Sequence, residues 1–187
     1  MIILASQSPR RKKLMGEDIT HDFQIVISDA DEHVSGNPTP LEYVLEVAKR
    51  KGIKVHDSYP NDTVISADTI VTVDGNIIGK PKDEEDAHKI LRYLSDKTHQ
   101  VITAFCIFNK DLFIEKYVIS DVTFNHLDDD FISRYIESGI PMDKAGAYGI
   151  QNEKEFPVVK SYKGSLKNII GFPSEEILET LKENKLI

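Results

Sequence analysis

The chain has 187 residues, a hydrophobic fraction of 40% and a formal net charge of −8, which suits one domain, or two closely packed lobes, with a real core. No apolar run reaches the roughly 18 residues that a membrane-spanning helix needs, and the acidic charge disfavours a nucleic-acid polymer as partner. The single cysteine, Cys106, excludes an internal disulfide and a multi-cysteine zinc site, and a cytoplasmic location fits this composition.

The first third of the chain predicts two strands and two helices. An apolar strand at residues 1–5 leads into a turn, and a basic helix follows at about residues 9–15, with Ser8 as its N-cap. A second strand is expected at about residues 23–27. The sequence TPLE has the pattern of a capping box and predicts a helix over about residues 40–51.

The remaining elements alternate irregularly between strand and helix patterns. Strands are predicted at 63–67, 69–73, 76–78, 99–109, 112–124 and 156–161, and helices at 84–94, 128–138 and 174–183. The glycine-rich residues 145–150 predict either a loop or a closely packed strand. We therefore expect a mixed α/β fold around a long twisted sheet, in two lobes with a cleft between them.

Polar residues between the first strand and the first helix form the first candidate site. Ser6, Ser8, Arg10 and Arg11 lie where backbone N–H groups and the positive end of a helix dipole are exposed, which suits phosphate oxygens. The alternative is a capped surface helix with solvated cations. The segment is not a P-loop, because the glycine-rich sequence of that motif is absent.

Asp68 is the second candidate, because it follows an apolar segment that reads as a central strand. A carboxylate at such a position needs a partner, since leaving it buried and unpaired is costly. A metal ion, a cation or a water molecule held for attack would each serve. The alternative is a carboxylate that caps a turn or a helix.

Two further segments offer a cation and an amide. Lys80 stands between a glycine and Pro81, which favours an extended backbone that aims the ammonium; the alternative is an ordinary loop lysine. Gln151 ends the segment that contains Gly146 and Gly149, and its side-chain amide can form hydrogen bonds with the edge of a nucleotide base. The alternative is a purely structural role, in which the glycines allow a tight crossing of the chain. The histidines show no zinc-ligand spacing and are interpreted as surface or packing residues.

These segments occur in one order along nearly the whole chain. They are residues 4–11 (LASQSPRR), 66–69 (SADT), 79–81 (GKP) and 143–151 (DKAGAYGIQ). In this order they resemble the Maf family of nucleotide pyrophosphatases. The resemblance implies one Maf-like domain over residues 1–187 with an elongated α/β fold, similar to inosine triphosphate pyrophosphatases. That fold has a mixed twisted sheet flanked by helices, and two lobes with a central cleft that holds the active site.

The resemblance also implies a reaction and roles for individual residues. The reaction is metal-dependent cleavage between the α- and β-phosphates of a nucleoside triphosphate, with Mg²⁺ or Mn²⁺ as cofactor. Asp68 matches the proton acceptor of the family, and Glu32 matches an acidic residue near the metal, so both are candidate metal ligands. The polar and cationic residues of the family's cleft correspond to Ser6, Arg10, Arg11, Lys51 and Lys80.

Three positions resemble the branch of the family that acts on dTTP and UTP. That branch has arginine, threonine and glutamine where this chain has Arg10, Thr69 and Gln151. We therefore expect dTTP and UTP as substrates, with CTP and modified pyrimidine nucleotides as further options. A homodimer is compatible with the resemblance. The alternative function is a nucleotide-binding regulator of cell division or septum formation with little catalysis.

The chain departs from the usual family pattern at four positions. Arg50 replaces a glutamate, Gly52 an alanine, Asn152 a glycine and Phe172 a leucine. None of these changes removes a proposed catalytic group. Asn152 stands beside Gln151 and is therefore placed to alter base selectivity.

Overall fold

A computed structural model describes residues 1–110 and 112–187. Within these residues the strands are β1 (Ile2–Leu4), β2 (Gln24–Ile25), β3 (Thr63–Val73), β4 (Asn76–Ile78), β5 (Thr98–Asn109), β6 (Leu112–Phe124) and β7 (Val159–Lys163). The α-helices are α1 (Pro9–Leu14), α2 (Pro40–His56), α3 (Glu84–Leu94), α4 (Asp129–Glu137), α5 (Leu166–Ile170) and α6 (Ser174–Glu183).

The strands form a seven-stranded mixed sheet. Its order is β2-β1-β3-β5-β6-β7, and β4 pairs with β3 off this path. Strand β1 runs parallel to β2 and β3, whereas β4 is antiparallel to β3 and β7 is antiparallel to β6. The predicted mixed α/β fold is confirmed.

The predicted helix starts are confirmed by their caps. Thr39 and Glu42 form a complete capping box at α2, and the side chain of Asp83 accepts a hydrogen bond at the start of α3. Helix α2 extends beyond the predicted end at residue 51 and ends at His56. Gly52 does not break it, because this glycine is buried against side chains of the core.

Several local predictions were wrong. Strand β3 is continuous where two strands were predicted, and α5 and a π-helical turn at Met15–Ile19 were not predicted. Strand β7 begins at Val159 rather than residue 156, because the Val158 amide donates to the carbonyl of Phe156 in a tight turn. Of the two options for the glycine-rich segment, the loop holds, since Gly146 has φ +73°, a value that no strand adopts.

The chain divides into two compact units. The first comprises residues 1–69, 103–118 and 171–187, and the second comprises residues 70–102 and 119–170. The first has a core that includes Ile3, Leu4, Met15, Ile65, Phe105, Ile107 and Phe172, all fully buried. The second has a core around Leu91, Leu94, Phe124, Ile132 and Tyr135. No helix among the described residues is long and apolar enough to cross a membrane.

Candidate active site

Asp68 lies within β3, and its side chain remains 14% exposed. The residues before it, from Thr63 to Ala67, are buried. Lys51, near the end of the third turn of α2, reaches this carboxylate, and its Nζ donates to Oδ1 of Asp68 at 2.8 Å. Both groups are largely desolvated, so this ion pair is stronger than one at an exposed surface.

A second carboxylate meets the same ammonium. Oε1 of Glu32 lies 3.0 Å from Nζ of Lys51, although the Glu32 side chain is 57% exposed. We call Glu32, Lys51 and Asp68 the acid–lysine cluster. It carries two negative charges and one positive charge, so it has a net charge of −1 and can accept a further cation. The structure thus brings together three residues that the family resemblance had assigned to one site.

The acid–lysine cluster offers the ligands that a hard divalent cation prefers. Carboxylate oxygens of Asp68 and Glu32 converge on a single cationic atom, and Mg²⁺ is commonly held by one or two carboxylates together with substrate phosphates. Among residues 1–110 and 112–187, no group of three or more histidine, cysteine, aspartate or glutamate side chains could hold a metal ion. The two carboxylates of the cluster fit a hard cation only as part of its ligand set.

The pairing of β1 with β3 places the N-terminal turn beside the strand that carries Asp68. Leu4 is opposite Ile65, and the amide of Ala5 donates to the carbonyl of Ile65 at 2.8 Å. In the turn that follows, Oγ of Ser6 accepts from the Ser8 amide at 3.2 Å, and Ser8 caps α1 as predicted. Arg10 follows on α1, half-buried.

Arg11 makes its hydrogen bonds inside the protein. Its guanidinium donates to the carbonyls of Ala67 and Gly171 and to the hydroxyl of Thr69. Burial lowers the pKa of Arg11, and the negative charge of Asp68 opposes that shift. Arg11 was predicted to bind phosphate, and that role stays a prediction.

Lys80 and Gln151 belong to the second unit, and both are exposed. The loops that carry them are joined, because the Gly146 amide donates to the carbonyl of Gly79 at 3.1 Å. The hydroxyl of Tyr135 accepts from the amide of Gly149 at 3.1 Å and fixes the segment before Gln151. Their roles in catalysis and in base selection stay predictions.

Comparison with known proteins identifies the family. A model described as "Maf-like protein" matches residues 1–184. The chain belongs to the Maf family. Proteins named dTTP/UTP pyrophosphatase resemble this Maf chain over almost its whole length. That of Thermococcus gammatolerans is 44% identical over 177 residues, which are 95% of this chain and 93% of the relative.

A second relative supports the same placement, and two solved structures share the fold. The dTTP/UTP pyrophosphatase of Acholeplasma laidlawii is 44% identical over 191 residues, covering 100% of the Maf chain and 98% of the relative. The Staphylococcus aureus Ham1 protein has a TM-score of 0.55 at 15% identity, with 98% of each chain covered. A HAM1 protein of Coxiella burnetii has a TM-score of 0.50 at 12% identity, with 97% of the Maf chain and 98% of the HAM1 chain covered. At this identity the two structures show a shared fold only.

Sequence reasoning gave no role in the site to three residues of this Maf chain that lie in the same region, although Thr103 and Gly171 stand in segments that match the family pattern. Burial raises the pKa of the Tyr43 phenol, and the negative charges of Asp68 and Glu32 raise it further, so this phenol keeps its proton at neutral pH. Thr103 and Gly171 contact the hydroxyl of Thr69. The helical spacing from Tyr43 to Lys51 was a usable signal, whereas Thr103 and Gly171 come from distant segments, and no local signal places them beside Thr69.

Proposed function

We propose that the whole chain acts as one Maf-like domain that hydrolyses nucleoside triphosphates to the monophosphate and pyrophosphate, with dTTP and UTP preferred. The observation that carries this proposal is the convergence of Asp68 and Glu32 on the ammonium of Lys51. The relatives that are 44% identical and named dTTP/UTP pyrophosphatase support the substrate class. A cytoplasmic location belongs to the same proposal.

Asp68 is the proposed base. Its carboxylate is desolvated but still 14% exposed, so a water molecule has access to it. The hydrogen bond from Lys51 fixes the orientation of the carboxylate, which leaves its other oxygen to accept a proton from the attacking water. Glu32 is the proposed second acid of the site.

A divalent cation, Mg²⁺ or Mn²⁺, is the proposed cofactor, and Asp68 and Glu32 are the residues that would hold it. When bound, such an ion neutralises phosphate charge and polarises the phosphoryl group that is attacked. Cleavage of a triphosphate depends mainly on positioning and charge neutralisation, so cations of the protein contribute as well. The proposed phosphate-binding side chains are Ser6, Arg10, Arg11, Lys51 and Lys80.

Selection of the base is assigned to Arg10, Thr69 and Gln151 because they match the residues of the branch that acts on dTTP and UTP, and the relatives' names support that substrate class. The exposed amide of Gln151 offers both a donor and an acceptor, as reading a base edge requires. The backbone hydrogen bond between Gly146 and Gly79 makes the positions of Gln151 and Lys80 interdependent within the second unit.

The test is pyrophosphate release from dTTP, UTP, CTP, GTP and 7-methyl-GTP, with Mg²⁺, with Mn²⁺ and with EDTA. We expect metal-dependent release from dTTP and UTP and a decrease of about 10²–10⁴-fold in kcat for Asp68→Asn, the usual contribution of a positioned base. Asp57→Asn, at an exposed carboxylate, is the matched control and should keep full activity.

Other outcomes would contradict different parts of the proposal. Release confined to 7-methyl-GTP keeps the reaction and contradicts the assignment of Arg10, Thr69 and Gln151. Phosphate in place of pyrophosphate indicates a phosphatase. Tight binding of a nucleotide without release of either product favours a regulator of cell division.

A further inference from the structure

Arg11 contacts the residues on both sides of Asp68, the backbone of Ala67 and the side chain of Thr69. Its Nη1 donates to the carbonyl of Ala67 at 2.7 Å, and its Nη2 donates to Oγ1 of Thr69 at 3.0 Å. Its Nε donates to the carbonyl of Gly171 at 2.9 Å. Because the guanidinium is planar and rigid, its three bonds fix the residues that flank Asp68 relative to one another.

The hydroxyl of Thr69 has three polar neighbours within hydrogen-bond distance. A hydroxyl has one donor and two acceptor sites. That of Thr69 accepts from Arg11, and it lies 2.9 Å from Oγ1 of Thr103 and 3.2 Å from the carbonyl of Gly171. Either threonine hydroxyl can be the donor in the bond between Thr69 and Thr103, and the carbonyl of Gly171 is within reach of the Thr69 hydroxyl as an acceptor.

The contacts surround Thr69 from three separate parts of the chain. Thr103 is on β5 and fully buried, Arg11 is on α1, and Gly171 precedes α6. Gly171 has φ +113°, and a Cβ at this residue would lie 3.4 Å from Oγ1 of Thr69. The Cβ contact itself is an ordinary one, but the positive φ makes the position of this carbonyl depend on a glycine.

We propose that Arg11, Thr69 and Thr103 form a positioning network that fixes the carboxylate of Asp68 against Lys51. In this role Thr69 affects the rate of turnover for every nucleotide through the position of Asp68. The inference rests on the proposed function, because Asp68 is the base in that function. The network gives Arg11 and Thr69 a role in positioning Asp68, and it adds Thr103 to the residues on which catalysis depends.

The expected effect of breaking the network follows from geometry. A displacement of about 1 Å at a reacting group costs about 10²-fold in rate. Thr69→Val and Thr103→Val keep the shape of the side chain and remove the hydroxyl. We expect kcat to decrease about 10- to 100-fold for dTTP and UTP alike, with KM within about twofold of the wild-type value.

Conservative and matched variants separate positioning from general damage. Thr69→Ser and Thr103→Ser retain the hydroxyl and should restore most of kcat. Thr72→Val changes a buried threonine on the same strand whose side chain makes none of these contacts, and it should leave kcat unchanged. Thermal unfolding of each variant reports whether the fold is kept.

The decisive comparison is made with kcat, KM and one structure. An increase in KM for dTTP and UTP alone, with kcat unchanged in Thr69→Val, would show that Thr69 contacts the base and would overturn the proposal. So would full kcat in Thr103→Val. A crystal structure of Thr69→Val gives a result that does not depend on turnover. We expect Oδ1 of Asp68 to leave Nζ of Lys51, and an unchanged pair would contradict the network even if wild-type protein hydrolysed no nucleotide.

Discussion

The ammonium of Lys51 lies between two carboxylates, 2.8 Å from Oδ1 of Asp68 and 3.0 Å from Oε1 of Glu32. A cation of the protein thus stands where a bound metal ion would share the same oxygens. If these acids hold the proposed metal ion, Lys51 competes with that ion for their oxygens. In the proposed function, the phosphate oxygens of a bound triphosphate provide an alternative partner for this ammonium.

This competition gives a prediction for metal binding without nucleotide. Lys51→Met removes the charge that repels a cation, so we expect affinity for Mn²⁺ to increase at least about fivefold, since unit charges about 4 Å apart interact by about 1 kcal/mol even in water. Electron paramagnetic resonance of free Mn²⁺ measures the change. Lys54→Met, which removes an exposed lysine of the same helix, is the control and should leave the affinity unchanged. Unaltered Mn²⁺ binding in Lys51→Met would contradict a shared position for ammonium and metal.

Gly52, next to Lys51, gives a prediction for stability. An added Cβ would lie 2.1 Å from Cε2 of the buried Phe108 and 2.6 Å from Oγ of Ser66. Alanine is the usual family residue here and gains about 1 kcal/mol of helix propensity, but overpacking a core costs about 1–3 kcal/mol. Because the overlap is severe, we expect Gly52→Ala to lower the free energy of unfolding in urea.

The double variant with Phe108→Leu separates this overlap from other effects. If the clash with the ring is the cause, Gly52→Ala should cost less in the Phe108→Leu background, which gives a favourable coupling energy. An increase in stability of the single variant Gly52→Ala would show that the ring of Phe108 moves at little cost.

Local signals predicted most helices and strands, because caps and periodicity act over a few residues. The capping box at Thr39 and the cap at Asp83 are examples. The acidic side chain of Asp68 suggested a break in β3, but the ion pair with Lys51 lets the strand continue. The contacts of Arg11 span up to 160 residues, so local patterns identified a cation at a helix start but could not indicate its partners.

His99 gives a prediction for pH dependence. The ring is 1% exposed, its Nε2 lies 2.8 Å from the hydroxyl of Tyr148, and burial lowers its pKa from 6.5 to about 4. Between these values the unfolded chain binds a proton that the native chain does not. The free energy of unfolding should therefore decrease as pH falls from about 6.5 to 4, by about 3 kcal/mol in total at about 1.4 kcal/mol per pKa unit.

Urea unfolding at several pH values tests this assignment. His99→Gln should have a lower free energy of unfolding near pH 7 than the wild type. Below pH 6.5, its free energy of unfolding should decrease less steeply than that of the wild type, because the contribution of His99 is absent. His21→Gln, at an exposed histidine, is the control and should keep the wild-type pH dependence. An equal decrease in wild type and His99→Gln would assign the acid sensitivity to other groups.

Gln151 gives the prediction that separates base reading from phosphate binding. Its side chain is exposed at the end of a segment that Tyr135 and Gly79 hold through backbone contacts, so its amide can be removed without loss of that anchoring. We expect Gln151→Ala to lower kcat/KM for dTTP and UTP by about 10-fold or more, because a hydrogen-bonding group of the base that is left unpaired costs about 1–3 kcal/mol. Inhibition by inorganic triphosphate, which has no base, should stay the same. Gln100→Ala, an exposed amide paired with Asp121, is the matched control and should change neither quantity. Equal losses for every nucleotide would indicate that Gln151 supports the loop of Lys80 through the shared backbone contact instead of reading the base.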